Sequence, residues 1–129
     1  MDLAPFVELV LHRLPAGTVL ANPGGGYSQV VRYSGGSLVY RRGSSMFYVS
    51  LEDLYDAYRA FLGRHVSSAD LRDYARSIFE SKSGGHSCNC TMLFMLLKAI
   101  GVVDCIHGAG VRGNPFWVTI PIVSAYHPT

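Results

Sequence analysis

The sequence has few of the features that mark membrane-spanning, secreted or disulfide-rich proteins. Its longest apolar run, Met92 to Leu97, is far shorter than the ~20 residues that a helix needs to span a bilayer. Asp2 and Glu8 interrupt the N-terminal region where a signal peptide has a basic segment and then an unbroken apolar core. The 129 residues include only three cysteines, an odd number, so no disulfide framework is expected. We therefore expect a cytoplasmic protein without a membrane partner.

The chain also has few charged residues, and their distribution is more informative than the net charge. Charged residues make up 16% of the chain, the formal net charge is +2, and the pI is about 8.5. This balance alone is too weak to identify a nucleic-acid-binding protein. However, the segments 32–42, 81–91 and 106–129 contain no aspartate or glutamate. These segments are therefore more positive than the chain as a whole.

The order of the periodic patterns predicts one α+β domain over residues 1–129, with a small antiparallel sheet and about four helices. Helices are expected at 3–14, from 50 to 62, from 67 or 68 to about 80, and at 88–100; strands at 18–21, 27–33, 38–41, 46–49, 102–106 and 116–120. Short helices followed by a hairpin also give the outline of a winged helix-turn-helix, with 63–66 as its turn. Three acids within 67–80 speak against a groove-reading role for that helix.

The stretch 81–101 is the strongest candidate for a site. A polar, glycine-rich loop carries Lys82, His86 and Ser87, and a very apolar helix begins at about Cys88. The first N–H groups of a helix have no partner inside it, which makes a helix start an intrinsic anion site. The helix itself is apolar on nearly every side and is predicted to be buried.

Three loops combine cations, hydroxyl groups and glycines, which is the mixture that binds phosphate backbones. They are 41–45, 82–87 and 108–114. The predicted nucleic-acid-binding residues are Arg41, Arg42, Ser44, Lys82, Ser83, His86, Ser87 and Arg112. In this interpretation the cations neutralise phosphates, the serines and the N–H groups around Cys88 orient the backbone, and His86 contacts a phosphate or a base edge. Tyr27, Tyr33, Tyr40 and Tyr48 are candidate platforms for base stacking.

A zinc site is a second hypothesis. His86, Cys88, Cys105 and His107 supply four ligands of the right chemistry in two pairs. One residue separates the members of each pair, which is less than the two to four residues usual in structural zinc sites. The alternative is that cysteines such as Cys90 and Cys105 are small core residues.

A thiol enzyme is a third hypothesis, because Cys88 lies at a helix start and His107 follows it. This order resembles the general layout of papain-like and related thiol hydrolases, in which a cysteine at a helix start is activated by a histidine on a later strand. The interval between the two residues is short for those families, and Asn114 is the one candidate for a third, orienting residue.

The pattern favours nucleic-acid binding, DNA rather than RNA, without catalysis or a cofactor. The composition would suit a small module that reads a DNA sequence or modification, such as those joined to restriction nucleases. The alternatives are a hydrolase or transferase with Cys88 as nucleophile, and a protein-interaction module. Convergence of Arg41, His86 and Arg112 would favour the first interpretation.

Overall fold

A computed structural model describes residues 1–122, so the predicted domain and its last acid-free segment extend past the described part of the chain. The helices are α1 (Leu3–Arg13), α2 (Leu51–Ala60), α3 (Ser68–Tyr74), α4 (Arg76–Phe79) and α5 (Cys88–Ala99), with a 3₁₀ turn at Ser81–Ser83. The strands are β1 (Val19–Ala21), β2 (Tyr27–Ser34), β3 (Ser37–Arg42), β4 (Ser45–Ser50), β5 (His65–Ser67) and β6 (Trp117–Thr119). The predicted α+β single-domain class is confirmed.

The first four strands form an antiparallel meander in the order β1-β2-β3-β4. Gly35 and Gly36 both have positive φ angles, which a two-residue hairpin between β2 and β3 favours. Leu38 and Tyr40 belong to the core, while Val39 and Arg41 lie on the opposite side of β3, where Val39 is buried and Arg41 is exposed. The predicted small antiparallel sheet is therefore confirmed, with strand ends shifted by a residue or two.

Helix α5 is the centre of the core. Every residue from Asn89 to Leu97 is buried, and the helix packs against α1, α3 and α4. Val102 and Val103 turn back at its end, where their N–H groups donate to the Leu97 carbonyl. No helix within residues 1–122 is long and apolar enough to cross a membrane. The prediction that this helix would be buried is confirmed for Asn89 to Leu97.

The single helix predicted from residue 67 or 68 to 80 is wrong, because the chain breaks at Ala75 (φ −147°, ψ 83°). The break turns the Ile78 carbonyl towards the start of α5, where it accepts from the backbone N–H of His86 and from Nδ2 of Asn89, both at 3.0 Å. Ile78 lies within the last four residues of the predicted helix, where a carbonyl has no partner inside the helix. The contact with the start of α5 therefore supplies the partners that this carbonyl would lack at a helix end.

The second sheet is smaller than predicted. Strand β5 pairs with β6, and His107 forms an isolated bridge with Trp117 at the base of a hairpin that turns at 111–114. The predicted strand 102–106 is absent, because its first residues complete the C-terminal end of α5 instead. The helix 67–80, which the winged-helix outline would place in a DNA groove, is instead split at Ala75 into α3 and α4, of seven and four residues.

Candidate functional site

The start of α5 is held in place by one buried amide. Asn89 is 3% exposed; its Oδ1 accepts from the Tyr40 hydroxyl at 2.7 Å, and its Nδ2 donates to the Ile78 carbonyl. Burial, with the neighbouring Cys88, raises the pKa of Tyr40, so the phenol stays neutral and can donate. Asn89 therefore joins β3, α4 and α5 at one point. Sequence reasoning missed it, although a polar residue inside a buried apolar helix was a usable signal.

The N–H groups at this helix start are partly used within the chain. Those of Asn89 and Cys90 donate to the His86 and Ser87 carbonyls at 3.0 and 3.1 Å, and that of Ser87 donates to Ser81 Oγ at 3.2 Å. These three N–H groups are therefore not free to orient a ligand, whereas the sequence predicts this role for the N–H groups around Cys88. The groups that remain available to a ligand at this site are mainly side chains.

Beside the start of α5 lies a concave surface that we call the arginine cleft, with a volume of about 520 Å³. Arg72 on α3 and Arg112 in the 107–117 hairpin both line it. Its polar groups otherwise include the hydroxyls of Ser68, Ser87 and Thr91. The remaining lining residues are Ala69, Cys90, Gly110, Val111, Gly113, Pro115 and Phe116. No aspartate or glutamate is among the lining residues, so the cleft is positive.

The two cleft arginines have no carboxylate partner within residues 1–122, where the one ion pair joins Arg76 to Asp73 at 3.9 Å. Arg72 lies against the thiol of Cys90, and burial raises the pKa of that thiol to about 12 despite the nearby guanidinium. The thiol is therefore neutral at ordinary pH and does not offset the charge of Arg72. Arg72 was not among the predicted site residues, so sequence reasoning missed its position in the cleft.

Arg42 links the cleft to a second surface. Its Nη1 lies 3.5 Å from Thr91 Oγ1, at the limit of a hydrogen bond, and Thr91 lines the cleft. Arg42 also lines a groove of about 670 Å³ at one end of the sheet, where β2 begins and β3 ends, which we call the tyrosine groove. The groove is formed by Val19, Asn22, Gly25, Gly26, Tyr27, Ser28, Gln29, Arg41, Arg42 and Gly43. It too has no acidic residue in its lining.

The predicted convergence of Arg41, His86 and Arg112 is not seen, since the three line separate pockets. Arg41 is in the tyrosine groove, where its Nη2 donates to Gln29 Oε1 at 2.6 Å. The His86 ring packs edge-on against Phe47, 5.0 Å between centroids, in a small pocket away from both arginines.

The predicted serine and lysine contacts also lie at different places on the surface. Ser87 lines the arginine cleft. Ser44 is exposed in the turn between β3 and β4, next to the groove residue Gly43. Lys82 and Ser83 are exposed in the 3₁₀ turn and line none of these surfaces. Of the loop 82–87, therefore, only its last residue takes part in the cleft.

The four candidate tyrosines differ in accessibility. Tyr27 is 69% and Tyr48 57% exposed, so both can present a ring face. Tyr40 is 1% exposed, and its proposed stacking role is wrong. Tyr33 is half-buried; its hydroxyl donates to the Leu14 carbonyl at 2.6 Å, and burial raises its pKa to about 12.

The proposed zinc ligands do not come together. No group of three or more His, Cys, Asp or Glu side chains within residues 1–122 is placed to hold a metal ion. Cys105 Sγ lies 3.1 Å from His107 Nε2, but His86 packs on Phe47. The two predicted pairs therefore belong to different parts of the molecule.

The proposed Cys88–His107 dyad is also not formed. In the described part of the chain, the thiol that His107 contacts is that of Cys105, and Cys88 lies half-buried beside Tyr40. The His107 ring stacks on Trp117 at 4.2 Å, and His65 stacks on the other indole face at 4.1 Å. Asn114 belongs to the hairpin turn, where it exchanges backbone hydrogen bonds with Val111. This geometry does not assemble a thiol hydrolase site.

The chain matches no known protein family, no curated protein and no solved structure. A function must therefore follow from the chemistry of the arginine cleft and the tyrosine groove, because function belongs to a site rather than to a fold class.

Proposed function

We propose that the protein binds nucleic acid through phosphate groups, DNA being the proposed polymer, and that the arginine cleft is the principal contact. The observation that carries this proposal is the pair Arg72 and Arg112, which line one cleft without a carboxylate partner in residues 1–122. Guanidinium groups match phosphate oxygens in a bidentate fork, and a phosphate supplies the negative charge that the cleft lacks. The hydroxyls of Ser87 and Thr91 supply neutral donors beside them.

The spread of positive charge favours a polymer of phosphates over a single small anion. No aspartate or glutamate occurs between residues 9 and 51, so the whole four-stranded sheet lacks acidic side chains. Arg42 joins the cleft to the tyrosine groove, where Arg41 adds a further cation. A chain of phosphates can neutralise cations on two neighbouring surfaces at once. The 129-residue chain then works as a binding module with no catalytic step of its own.

The test is a salt titration of binding, followed by fluorescence anisotropy with labelled 20-nucleotide DNA. Loss of a hydrogen bond to a charged group corresponds to about 10- to 100-fold in affinity. We therefore expect Arg72→Ala and Arg112→Ala each to weaken binding by about tenfold or more and to reduce the salt slope by about one unit. Arg112→Lys keeps the charge but not the fork, and we expect an intermediate loss.

The matched control is Arg59→Ala. Arg59 is an exposed arginine on α2 that donates to the Tyr55 hydroxyl and lines neither surface. We expect this variant to bind within about twofold of the parent, since one remote charge contributes little at physiological salt. The proposal fails if DNA and RNA do not bind at low salt, if affinity does not fall as salt rises, or if both cleft variants behave like the control. Circular dichroism of each variant checks that it is folded.

A further inference from the structure

We infer that the nucleic acid is bound as a single strand, with an unpaired base stacked on Tyr27 in the tyrosine groove. The inference rests on the proposed function, because the phosphates of the same strand would occupy the arginine cleft. It adds the class of ligand and a residue that makes contact without charge.

Tyr27 is placed to present its ring to a ligand. It is 69% exposed at the start of β2, two residues before Gln29, so it lies on the same side of the sheet as Gln29 and its partner Arg41. Aromatic stacking is tolerant of base identity, because every base has a π-face. A large aromatic ring left in water on an open sheet is therefore a suitable stacking platform.

The walls of the groove leave space beside the ring. Gly25 and Gly43 have φ angles of 107° and 62°, and a Cβ atom at either position would meet no atom within 4 Å. The space beside both glycines is therefore open, and no side chain from these positions covers Tyr27. A base can approach the ring without displacing part of the protein.

Cations run from this groove to the cleft. Arg41 is held along the sheet by its bond to Gln29, and Arg42 lines the groove while also reaching Thr91 of the cleft. A strand whose base rests on Tyr27 would place successive phosphates near Arg41, Arg42 and then the cleft. The absence of acids from both linings leaves this path free of like-charge repulsion.

A duplex does not fit this arrangement. Stacking on a protein ring requires an exposed base face, which base pairing and stacking hide in a duplex. Reading a duplex would instead require an element that enters a groove roughly 12 Å wide. Helix α5 is buried from Asn89 to Leu97, and α3, which carries Arg72, has only seven residues and also carries two aspartates, so neither helix is suited to that role.

The experiment compares single-stranded and duplex DNA of the same sequence, using Tyr27→Ala, Tyr27→Phe and Tyr48→Ala. Tyr48 is a matched control, because it is also an exposed tyrosine of the sheet, 57% accessible, but lies outside the groove. We expect Tyr27→Ala to weaken single-strand binding by about tenfold, the range for loss of one base–aromatic stack. Tyr27→Phe keeps the ring and should bind normally. The salt slope of Tyr27→Ala should not change, since no charge is removed.

The outcomes separate the two proposals. Tighter binding of duplex than of single strand, or equal binding by Tyr27→Ala and Tyr48→Ala, overturns the inference and leaves the proposed function intact. If neither form of DNA nor single-stranded RNA binds the parent protein, both proposals fail. Cross-linking with iodouracil-substituted DNA gives a direct check: we expect attachment at Tyr27, and attachment confined to Tyr48 would contradict the inference.

Discussion

The bridge made by Asn89 gives the sharpest prediction about stability. In Asn89→Ala, the two hydrogen bonds to the Tyr40 hydroxyl and the Ile78 carbonyl are lost. The carbonyl keeps a partner, the N–H of His86 at 3.0 Å, whereas the Tyr40 hydroxyl loses the acceptor to which it donates. Tyr40 is 1% exposed, so water cannot replace the amide without a rearrangement of the core.

The expected cost follows from this difference. Two lost hydrogen bonds contribute about 1 kcal/mol each, and a buried hydroxyl left unsatisfied adds about 1–3 kcal/mol. Asn89→Ala should therefore lower the free energy of unfolding by about 3–5 kcal/mol. A domain of this kind has a total stability of about 5–15 kcal/mol, so the variant should be only marginally folded. Tyr40→Phe leaves one unsatisfied acceptor and should cost about 1–3 kcal/mol.

The assay is urea unfolding followed by far-UV circular dichroism and by fluorescence of Trp117, the only tryptophan of the chain. Tyr48→Phe is the control, because its hydroxyl is exposed and only accepts from Arg32 at 3.0 Å; we expect a cost below about 0.5 kcal/mol. The double variant Asn89→Ala, Tyr40→Phe should be less destabilised than the sum of its parts by about 1 kcal/mol or more.

The reasoning is refuted if Asn89→Ala costs no more than Tyr48→Phe, or if the two core substitutions are additive. The same variant also tests how the arginine cleft is supported. Ser87 and Thr91 lie two residues to either side of Asn89 and both line the cleft. Under conditions where it remains folded, Asn89→Ala should weaken DNA binding more than Tyr40→Phe does, because it also releases the bond to α4.

Two further predictions concern backbone packing and pH. Gly85→Ala would place its Cβ 2.5 Å from the Ile78 carbonyl carbon, so we expect thermal melting to show that the folded state loses about 1–3 kcal/mol or more of stability. Gly24→Ala is the control, because its Cβ would meet only the Phe116 ring at 3.5 Å, and its stability should be nearly unchanged. Equal melting temperatures for the two variants would count against the packing described at Gly85. Burial raises the pKa of Cys90 from 9.0 to about 12, so the folded state retains a proton that the unfolded state releases, and stability should fall as the pH rises from about 9 towards 12. Cys90→Ala should flatten this dependence in urea titrations, and an unchanged slope would show that the thiol does not contribute.

The successful fold predictions were those that depend on short-range patterns. The apolar run of α5, the β-branched and aromatic residues of β3 and the glycine turn at 35–36 each specify a local structure within a few residues. The break at Ala75 was not predictable in this way, because the segment after it packs against the start of α5, where the Ile78 carbonyl accepts from His86 and Asn89 of a later segment.

The residues of the candidate site likewise divide into those that local composition predicted and those that only tertiary packing places there. Ser87 and Arg112 were predicted from composition, and the structure brings them to one cleft. Arg72 had no signal of its own, since an arginine on a helix with an apolar stripe is normally solvated. Its position in the cleft depends on the packing of α3 against α5 and on the hairpin that carries Arg112, 40 residues later in the chain.

By itself, therefore, the sequence determined the class of the fold, the burial of α5 and the acid-free character of the regions around it. Periodicity and charge content are local properties, so they can be read from the sequence without the structure. Only the tertiary structure decided which cations share a surface, that Arg41, His86 and Arg112 lie in separate pockets, and that His107 contacts Cys105 instead of Cys88. Those arrangements depend on how segments distant in the sequence pack together, so residue spacing along the chain does not predict them.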